Sequence, residues 1–216
     1  FLDFAAQLQA QPCRLDLLQT SLGIGIDICA AGLDAQVAYG IPKFRRLPGC
    51  GGTAAYTLSI LQAMLSRFGH KLRVAIDGKE YTGTYMMAAI CNGGYQAAPY
   101  AAMDDGLLDI VLVKPISRIQ VAGILAKYKA GRHMQDADTI VPEFRSFMTF
   151  YRARSVEMQV LDNRPIIATI DGECAPVMEL KAEVLPSALN VLLPRPACGS
   201  AVIRGLYECP MQAKAK

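Results

Sequence analysis

Residues 92–113, with the sequence NGGYQAAPYAAMDDGLLDIVLV, constrain the fold more than any other stretch of the chain. Glycine, alanine and proline dominate the first half, so the backbone polar groups there must find partners in the fold or in a bound group. Asp104, Asp105 and Gly106 then precede the apolar run of residues 107–113, which predicts a buried strand. Two interpretations of the aspartates remain open: an Asp-Gly turn before a strand, or a loop whose oxygens bind a hard cation.

Strand-like segments surround this stretch. Strict alternation of apolar residues predicts one half-buried strand over residues 21–31. Asp77 and Gly78 lie between two short alternating runs, which predicts a hairpin. The remaining predicted strands are residues 86–91, 107–113, 147–152, 155–161, 166–170, 177–184 and 188–193.

Helical patterns occur in only a few places. We predict helices over residues 54–68, with Thr53 as the N-cap, and over residues 117–129, with Ser117 as the N-cap. Asp34 is placed to cap a further short helix. We therefore expect an α+β, β-rich fold, an antiparallel β-sandwich-like domain with two to three inserted helices.

Composition excludes several functional classes. The 22 basic and 19 acidic residues nearly balance, and no Lys/Arg block indicates nucleic-acid binding. Seven cysteines without a CxxC pair favour reduced thiols in a cytosolic protein over a disulfide framework or a zinc site. With only two histidines, histidine-based metal clusters and catalytic triads are poorly supported. No apolar run reaches the roughly 18 residues that a membrane span requires.

Weak signals with ordinary explanations also occur. Residues 49–53 form a glycine-rich turn before a helix, but no lysine follows the glycines, so a phosphate loop is poorly supported. Lys43, Arg45 and Arg46 indicate a basic loop, either simply solvated or in contact with an anionic membrane surface. Glu173 follows an Asp-Gly pair, and by itself it is an exposed turn residue.

Three segments taken together carry a family resemblance. They are IDICAAGLDAQVA (residues 26–38), APYAAMDDGLLDI (98–110) and IIATIDGE (166–173). In this order they resemble the C-terminal domain of the bacterial diacylglycerol-kinase-like lipid kinases, which are related to sphingosine and ceramide kinases. The resemblance covers about residues 22–196. It implies an enzyme that phosphorylates a lipid hydroxyl with ATP, the lipid being diacylglycerol or a similar molecule.

Two other functions remain open beside this one. The main alternative is a non-catalytic lipid-binding β-domain, and phosphorylation of a soluble sugar nucleotide or of NAD is a weaker third, on fold kinship alone. An upstream GGDGT motif would decide for the kinase.

The resemblance also implies a domain organisation. In that family an α/β nucleotide-binding domain with a GGDGT motif accompanies the β-sandwich, and this sequence contains no GGDGT. We expect residues 1–21 to be a remnant and linker from such a domain, residues 22–196 to be the β-sandwich, and residues 197–216 to be a tail that packs on the nucleotide domain. The 216 residues alone are then expected to be inactive and not to bind ATP.

Site residues follow from the resemblance, position by position. Glu173 matches the family's catalytic acid, which accepts a proton near the transferred phosphate. Asp105 and the backbone carbonyls of Ala102 and Leu107 match a Mg²⁺ site. Asp34 matches an acid near the lipid headgroup. The sequence departs from the family in the short 92–95 turn and at position 27, where aspartate replaces the usual asparagine.

The implied partners are few. Mg²⁺ is the expected cofactor, and ATP is the co-substrate, bound mainly by the nucleotide domain. The lipid substrate is expected at the membrane surface, so the protein would be cytoplasmic and peripheral at the membrane. No nucleic-acid partner is expected, and a homodimer is left open.

Overall fold

The computed structural model describes residues 7–66, 69–94 and 96–193. Within them the strands are β1 (Gln11–Thr20), β2 (Gly23–Gly25), β3 (Ile28–Gly32), β4 (His70–Ile76), β5 (Lys79–Tyr85), β6 (Met87–Cys91), β7 (Leu108–Val113), β8 (Met148–Ala153), β9 (Ser155–Val160), β10 (Ile166–Ile170), β11 (Glu173–Val177) and β12 (Glu179–Leu193). The helices are α1 (Leu33–Arg45), α2 (Gly52–Leu65) and α3 (Arg118–Lys129), with a short 3-10 turn at Pro142–Phe144.

The strands form two six-stranded sheets. The first sheet has the order β2-β1-β12-β9-β4-β5 and the second has the order β11-β10-β3-β6-β7-β8. Every pairing between these strands is antiparallel. The α+β, β-rich, antiparallel sandwich with inserted helices is therefore confirmed.

Three layers explain why residues 107–113 are apolar except for Asp109. One core lies between the two sheets and contains Leu72, Ile90 and Ile110. A second core lies between the second sheet and the helices and contains Val111 and Val121. Strands β6 and β7 are buried on both faces, so every residue of both strands is removed from solvent. Strands β4 and β9 alternate instead, because one face of the first sheet meets solvent.

Two boundaries differ from the sequence prediction. Residues 11–20 form β1, which pairs along its length with β12, so the sandwich begins before residue 22. The single strand predicted over residues 21–31 is wrong, because β2 belongs to the first sheet and β3 to the second. The chain changes sheets in the crossover segment (residues 26–28), and alternation alone does not reveal such a change.

Strand β12 is continuous where the sequence predicted two strands. Leu15 pairs with Leu189 and Leu17 with Leu185, so three residues of β12 lie opposite one residue of β1. Ser187 adopts a φ of 53° within this bulge. Pro186 is accommodated there because a bulge needs no regular hydrogen-bond ladder.

The helix ends confirm one predicted cap and correct two. Ser117 caps α3, and its side chain and that of Gln120 form a reciprocal capping box. Helix α2 begins at Gly52 without a side-chain cap, so the Thr53 cap is wrong. Asp34 lies in the first turn of α1 and does not cap it, because Gly32 occupies the N-cap position.

The cysteines fit the prediction only in part. Cys29, Cys50, Cys91 and Cys174 carry free thiols, whereas Cys13 is disulfide-bonded. The prediction of reduced thiols is therefore wrong at Cys13. In residues 7–66, 69–94 and 96–193, no helix has both the length and the apolar content that a membrane span requires. The predicted tail, residues 197–216, lies outside the described residues.

Candidate functional site

An apolar pocket lies between the second sheet and the helices. Its cavity volume is about 80 Å³, and the empty space in and around it, open solvent included, is about 740 Å³. Its walls come from all three helices and from strands β6 to β8, and include Ile60, Met64, Val113, Val121 and Ile124. The outward-facing residues of a sheet that is covered by short helices line it, so the wall is almost entirely hydrocarbon. Such a wall suits an apolar group.

Polar side chains surround the mouth of this pocket. Asp34, Tyr56, Gln96 and Lys129 line both the pocket and an outer hollow that opens beside it. The Lys129 ammonium lies 4.5 Å from the centroid of the Tyr56 ring. Burial raises the pKa of Asp34, and the positive charge of Lys129 partly opposes that rise. The mouth therefore places a few polar side chains between two hollows whose linings are mainly apolar.

The outer hollow reaches the turn between β10 and β11. Thr169 and Gly172 line it. Asp171 and Gly172 have φ values of 46° and 96°, both left-handed, as a two-residue hairpin requires. The Asp77–Gly78 turn has matching φ values of 44° and 80°. The two Asp-Gly turns therefore share the same backbone geometry.

The Asp171 carboxylate is committed to holding the fold together. It accepts hydrogen bonds from the backbone N–H groups of Ile26 at 2.6 Å, Asp27 at 3.1 Å and Ile28 at 2.9 Å. Hence the turn is fixed to the crossover segment. Asp77 does the same on the other side of the sandwich, where it accepts from the backbone of Arg154 and Ser155.

Glu173 is the first residue of β11 and is exposed. Its backbone pairs with Ile170 across the hairpin. In the described part of the chain its carboxylate makes no hydrogen bond or ion pair. Asp171 is saturated by backbone donors, so Glu173 is the carboxylate of this turn that remains available for chemistry.

The loop before β7 holds the predicted metal-ligating residues. Asp105 Oδ1 accepts from the backbone N–H of Leu107 at 3.0 Å, and Oδ2 lies 3.3 Å from Arg152. Arg152 also pairs with Asp109 at 3.0 Å and with Asp138 at 3.7 Å. Burial raises the pKa of Asp105, while the Leu107 N–H and Arg152 oppose the rise. Burial also raises the pKa of Asp109 to about 6, against the influence of Arg152.

The donors in this loop fit a hard cation. Three carboxylates share the single guanidinium of Arg152, which leaves an excess of negative charge. One carboxylate with loop carbonyls is an oxygen-only donor set, the type that Mg²⁺ prefers. Among the described residues, no group of three or more His, Cys, Asp or Glu side chains is arranged as a metal cluster. A cation here would depend on backbone carbonyls, as the prediction for Ala102 and Leu107 requires.

Asp16 anchors this loop, and sequence reasoning missed it. Its side chain is buried, with 2% of the residue exposed. Oδ2 accepts from the Gly106 N–H and Oδ1 from the Ser187 N–H, each at 2.7 Å. Its backbone N–H donates to Met103 at 2.6 Å. The available signal was an acidic residue between the leucines of RLDLLQT.

Asn92 links the start of the glycine turn to the same region. Its side-chain amide donates to the backbone oxygens of Asp16 at 2.9 Å and Ile26 at 2.7 Å. Oδ1 of Asp27 is buried and has no hydrogen-bond partner among the residues that the structure describes. A Cβ atom at Gly93 would collide with that oxygen, so the short turn requires glycine there. Burial, and secondarily the charge of Asp171, raises the pKa of Asp27.

Comparison with known proteins places this geometry in a family. A model of the "YegS C-terminal NAD kinase beta sandwich-like domain" matches residues 27–193. A probable YegS-like lipid kinase of Shewanella frigidimarina is 30% identical over 189 residues, covering 85% of this chain and 56% of the relative. A diacylglycerol kinase of Bacillus subtilis is 22% identical over 186 residues, covering 84% and 57%.

Solved structures agree on the fold. A diacylglycerol kinase structure from Bacillus anthracis superposes with a TM-score of 0.55 at 13% identity, covering 88% of this chain and 56% of that one. The chain thus spans a little under three-fifths of the length of these relatives. The family model matches most of the chain, and the first of these relatives is 30% identical to it. The chain belongs to the YegS C-terminal NAD kinase beta sandwich-like domain family.

Proposed function

We propose that this chain is the lipid-side part of a kinase that transfers phosphate from ATP to a hydroxyl group of diacylglycerol or a similar lipid. The observation that carries the proposal is that the apolar pocket shares its mouth residues with the outer hollow, which is lined in turn by Gly172, the neighbour of Glu173 in the chain. The relatives named as lipid kinase and diacylglycerol kinase support the same activity.

Lipid binding follows from the pocket's chemistry. An acyl chain in the pocket leaves water, and each buried CH₂ group contributes about 0.8 kcal/mol. The ester and hydroxyl groups then lie at the mouth, beside Asp34 and Lys129. Apolar burial therefore sets the affinity, and the polar mouth sets the direction in which the lipid enters.

Glu173 is the general base in this proposal. As the lipid hydroxyl oxygen forms its bond to the γ-phosphorus, the bond from that phosphorus to the β–γ bridging oxygen breaks, and ADP leaves. The hydroxyl proton passes to the Glu173 carboxylate. Phosphoryl transfer depends mainly on position and charge, so the protein must place this carboxylate and do little covalent chemistry.

The Mg²⁺ site belongs to the loop before β7. Asp105 and the backbone carbonyls of Ala102 and Leu107 would hold the ion, while Asp16 fixes the loop beneath them. A bound Mg²⁺ supplies positive charge that the local carboxylates otherwise lack. We assign it a mainly structural role, because Asp105 and Arg152 are part of the packing around β7 and β8.

ATP is proposed to bind mainly to a nucleotide-binding domain outside these 216 residues, which contain no GGDGT motif. Membrane contact is proposed to be peripheral, on the cytoplasmic side. Lys43 and Arg45, predicted in an irregular loop, instead lie in the last turn of α1. Basic side chains at the end of a helix beside the lipid pocket suit an anionic membrane surface.

An assay with radiolabelled ATP tests the proposal. The full-length gene product is incubated with mixed micelles that each contain one lipid, including diacylglycerol, monoacylglycerol, a prenol and sphingosine. We expect label in the extracted lipid for at least one hydroxyl lipid, and dependence on Mg²⁺. Lipid binding without any transfer of label would favour the non-catalytic lipid-binding domain instead.

A further inference from the structure

Two opposite charges face each other across the mouth of the apolar pocket without touching. Asp34 lies in the first turn of α1, and Lys129 is the last residue of α3. Both line the pocket and the outer hollow. Within the described residues no ion pair joins them, although the charge of Lys129 is close enough to lower the pKa of Asp34.

The Lys129 ammonium is held in place from another side. It lies 4.5 Å from the centroid of the Tyr56 ring, in a cation–π arrangement. Tyr56 is a wall residue of the same mouth. The positive charge is thereby kept at the mouth, where a lipid headgroup must pass.

This arrangement discriminates between headgroups by hydrogen bonding. A hydroxyl group both donates and accepts, so it can donate to the Asp34 carboxylate and accept from the Lys129 ammonium. A protonated amine can only donate, and the attraction of Asp34 for it is offset by the repulsion from Lys129, so the loss of its hydration is not compensated. An anionic headgroup meets the opposite problem at Asp34. The site therefore matches a headgroup that carries hydroxyl groups and no net charge.

We propose that Lys129 is a specificity-determining residue, which selects glycerolipids with a free hydroxyl and rejects sphingoid bases with a cationic amine. This inference rests on the proposed function, because it assumes that a lipid occupies the pocket. Selection of this kind works largely through repulsion of the wrong ligand, with a smaller contribution from contacts to the right one.

The test compares ligands of equal fluorescence and different charge. Dye-labelled dioleoylglycerol, sphingosine and N-acetylsphingosine are titrated in mixed micelles against the full-length gene product. We expect wild type to bind dioleoylglycerol at least about tenfold more tightly than sphingosine, since Lys129 cancels the attraction of Asp34 for the amine and leaves the cost of removing its water. N-acetylsphingosine, which has no charge, should bind more tightly than sphingosine. In Lys129→Met the preference against sphingosine should shrink by about tenfold.

Lys127→Met is the matched control. Lys127 lies two residues earlier in α3 and pairs with Glu143 at 2.7 Å, and it does not line the pocket. Its substitution should leave the ratio of the affinities for dioleoylglycerol and sphingosine unchanged. An unaltered ratio in Lys129→Met would overturn the inference while leaving the proposed function intact. Failure of wild type to bind any of the three lipids would instead refute the lipid pocket itself, and with it the proposed function.

Discussion

Substitution of Glu173 by glutamine removes the proposed general base with little other change. Glutamine keeps the length and shape of the side chain but cannot accept the hydroxyl proton. In the described part of the chain the Glu173 carboxylate has no hydrogen-bond or ion-pair partner, so its loss leaves no group unsatisfied. The Asp171 carboxylate, which fixes the turn, is unaffected.

The expected effects of Glu173→Gln on stability and on rate follow from the absence of partners for this carboxylate among the described residues. An exposed residue without partners changes the free energy of unfolding by no more than about 0.5 kcal/mol. For a chain of this size that is a shift in melting temperature of about 2 °C or less. Loss of general-base catalysis lowers the rate by about 10²–10⁴-fold. The Glu173→Gln substitution should therefore lower the rate of lipid phosphorylation strongly and leave the free energy of unfolding nearly unchanged.

The assay measures kcat for lipid phosphorylation, ATP affinity and thermal unfolding of the full-length gene product. Glu80→Gln is the control, because Glu80 follows the matching Asp77–Gly78 turn and makes only an exposed contact with Arg73 at 3.9 Å. It should leave all three quantities nearly unchanged. If both substitutions have equal, small effects on kcat, Glu173 is only a turn residue and the kinase proposal loses its base.

Three further predictions concern the supporting carboxylates. Asp105→Asn should lower both activity and melting temperature, and chelation with EDTA should lower the melting temperature of wild type but not of this variant; the reverse result, with damage only in Asp104→Asn, would contradict the assigned metal ligand. Asp171→Ala should lower the free energy of unfolding by about 2–3 kcal/mol in urea titrations, because three backbone N–H groups lose a charged acceptor; a loss below about 0.5 kcal/mol would show that water replaces it. Because burial raises the pKa of Asp109 to about 6, the folded protein retains a proton there that the unfolded chain releases between about pH 4 and 6. The stability of wild type relative to Asp109→Asn should therefore fall as the pH rises through that window, by about 3 kcal/mol, and stay level above it; a flat difference from pH 4 to 7 would contradict the assignment.

The local sequence pattern was sufficient to predict the structure wherever interactions between neighbouring residues determine it. The Asp77–Gly78 hairpin follows from a turn that needs two left-handed residues. The Ser117 cap follows from a hydroxyl that satisfies a free backbone N–H group. Strand β7 was predictable because burial on both faces favours a run that is apolar at every position but one, Asp109.

Long-range contacts explain where prediction failed. Residues 21–31 keep their alternation through the crossover segment, yet they change sheets because Asp171, far along the chain, binds the backbone there. Strand β1 was missed because buried Asp16 interrupts its apolar pattern. The partners that make Asp16 tolerable, Gly106 and Ser187, come from two other regions of the sequence.

The candidate site likewise contains residues that the sequence could indicate and an arrangement that it could not. Glu173, Asp105 and Asp34 were assigned through resemblance to a family, and their roles stay predictions. The structure brings Asp34 together with Lys129 and Tyr56, which α1, α3 and α2 contribute separately. No local pattern indicates that three helices will share one pocket mouth, because that arrangement arises only when they pack on the second sheet.

Photoaffinity mapping tests the central claim that the pocket receives the lipid's acyl chain. A diacylglycerol with a diazirine at the end of one acyl chain is irradiated with the full-length gene product, and the adducts are located by mass spectrometry. We expect adducts on the pocket wall formed by β7 and α3, at Val113, Val121 or Ile124. Excess unlabelled diacylglycerol should suppress them. Adducts confined to the outer face of the first sheet, with the pocket unlabelled, would contradict the account.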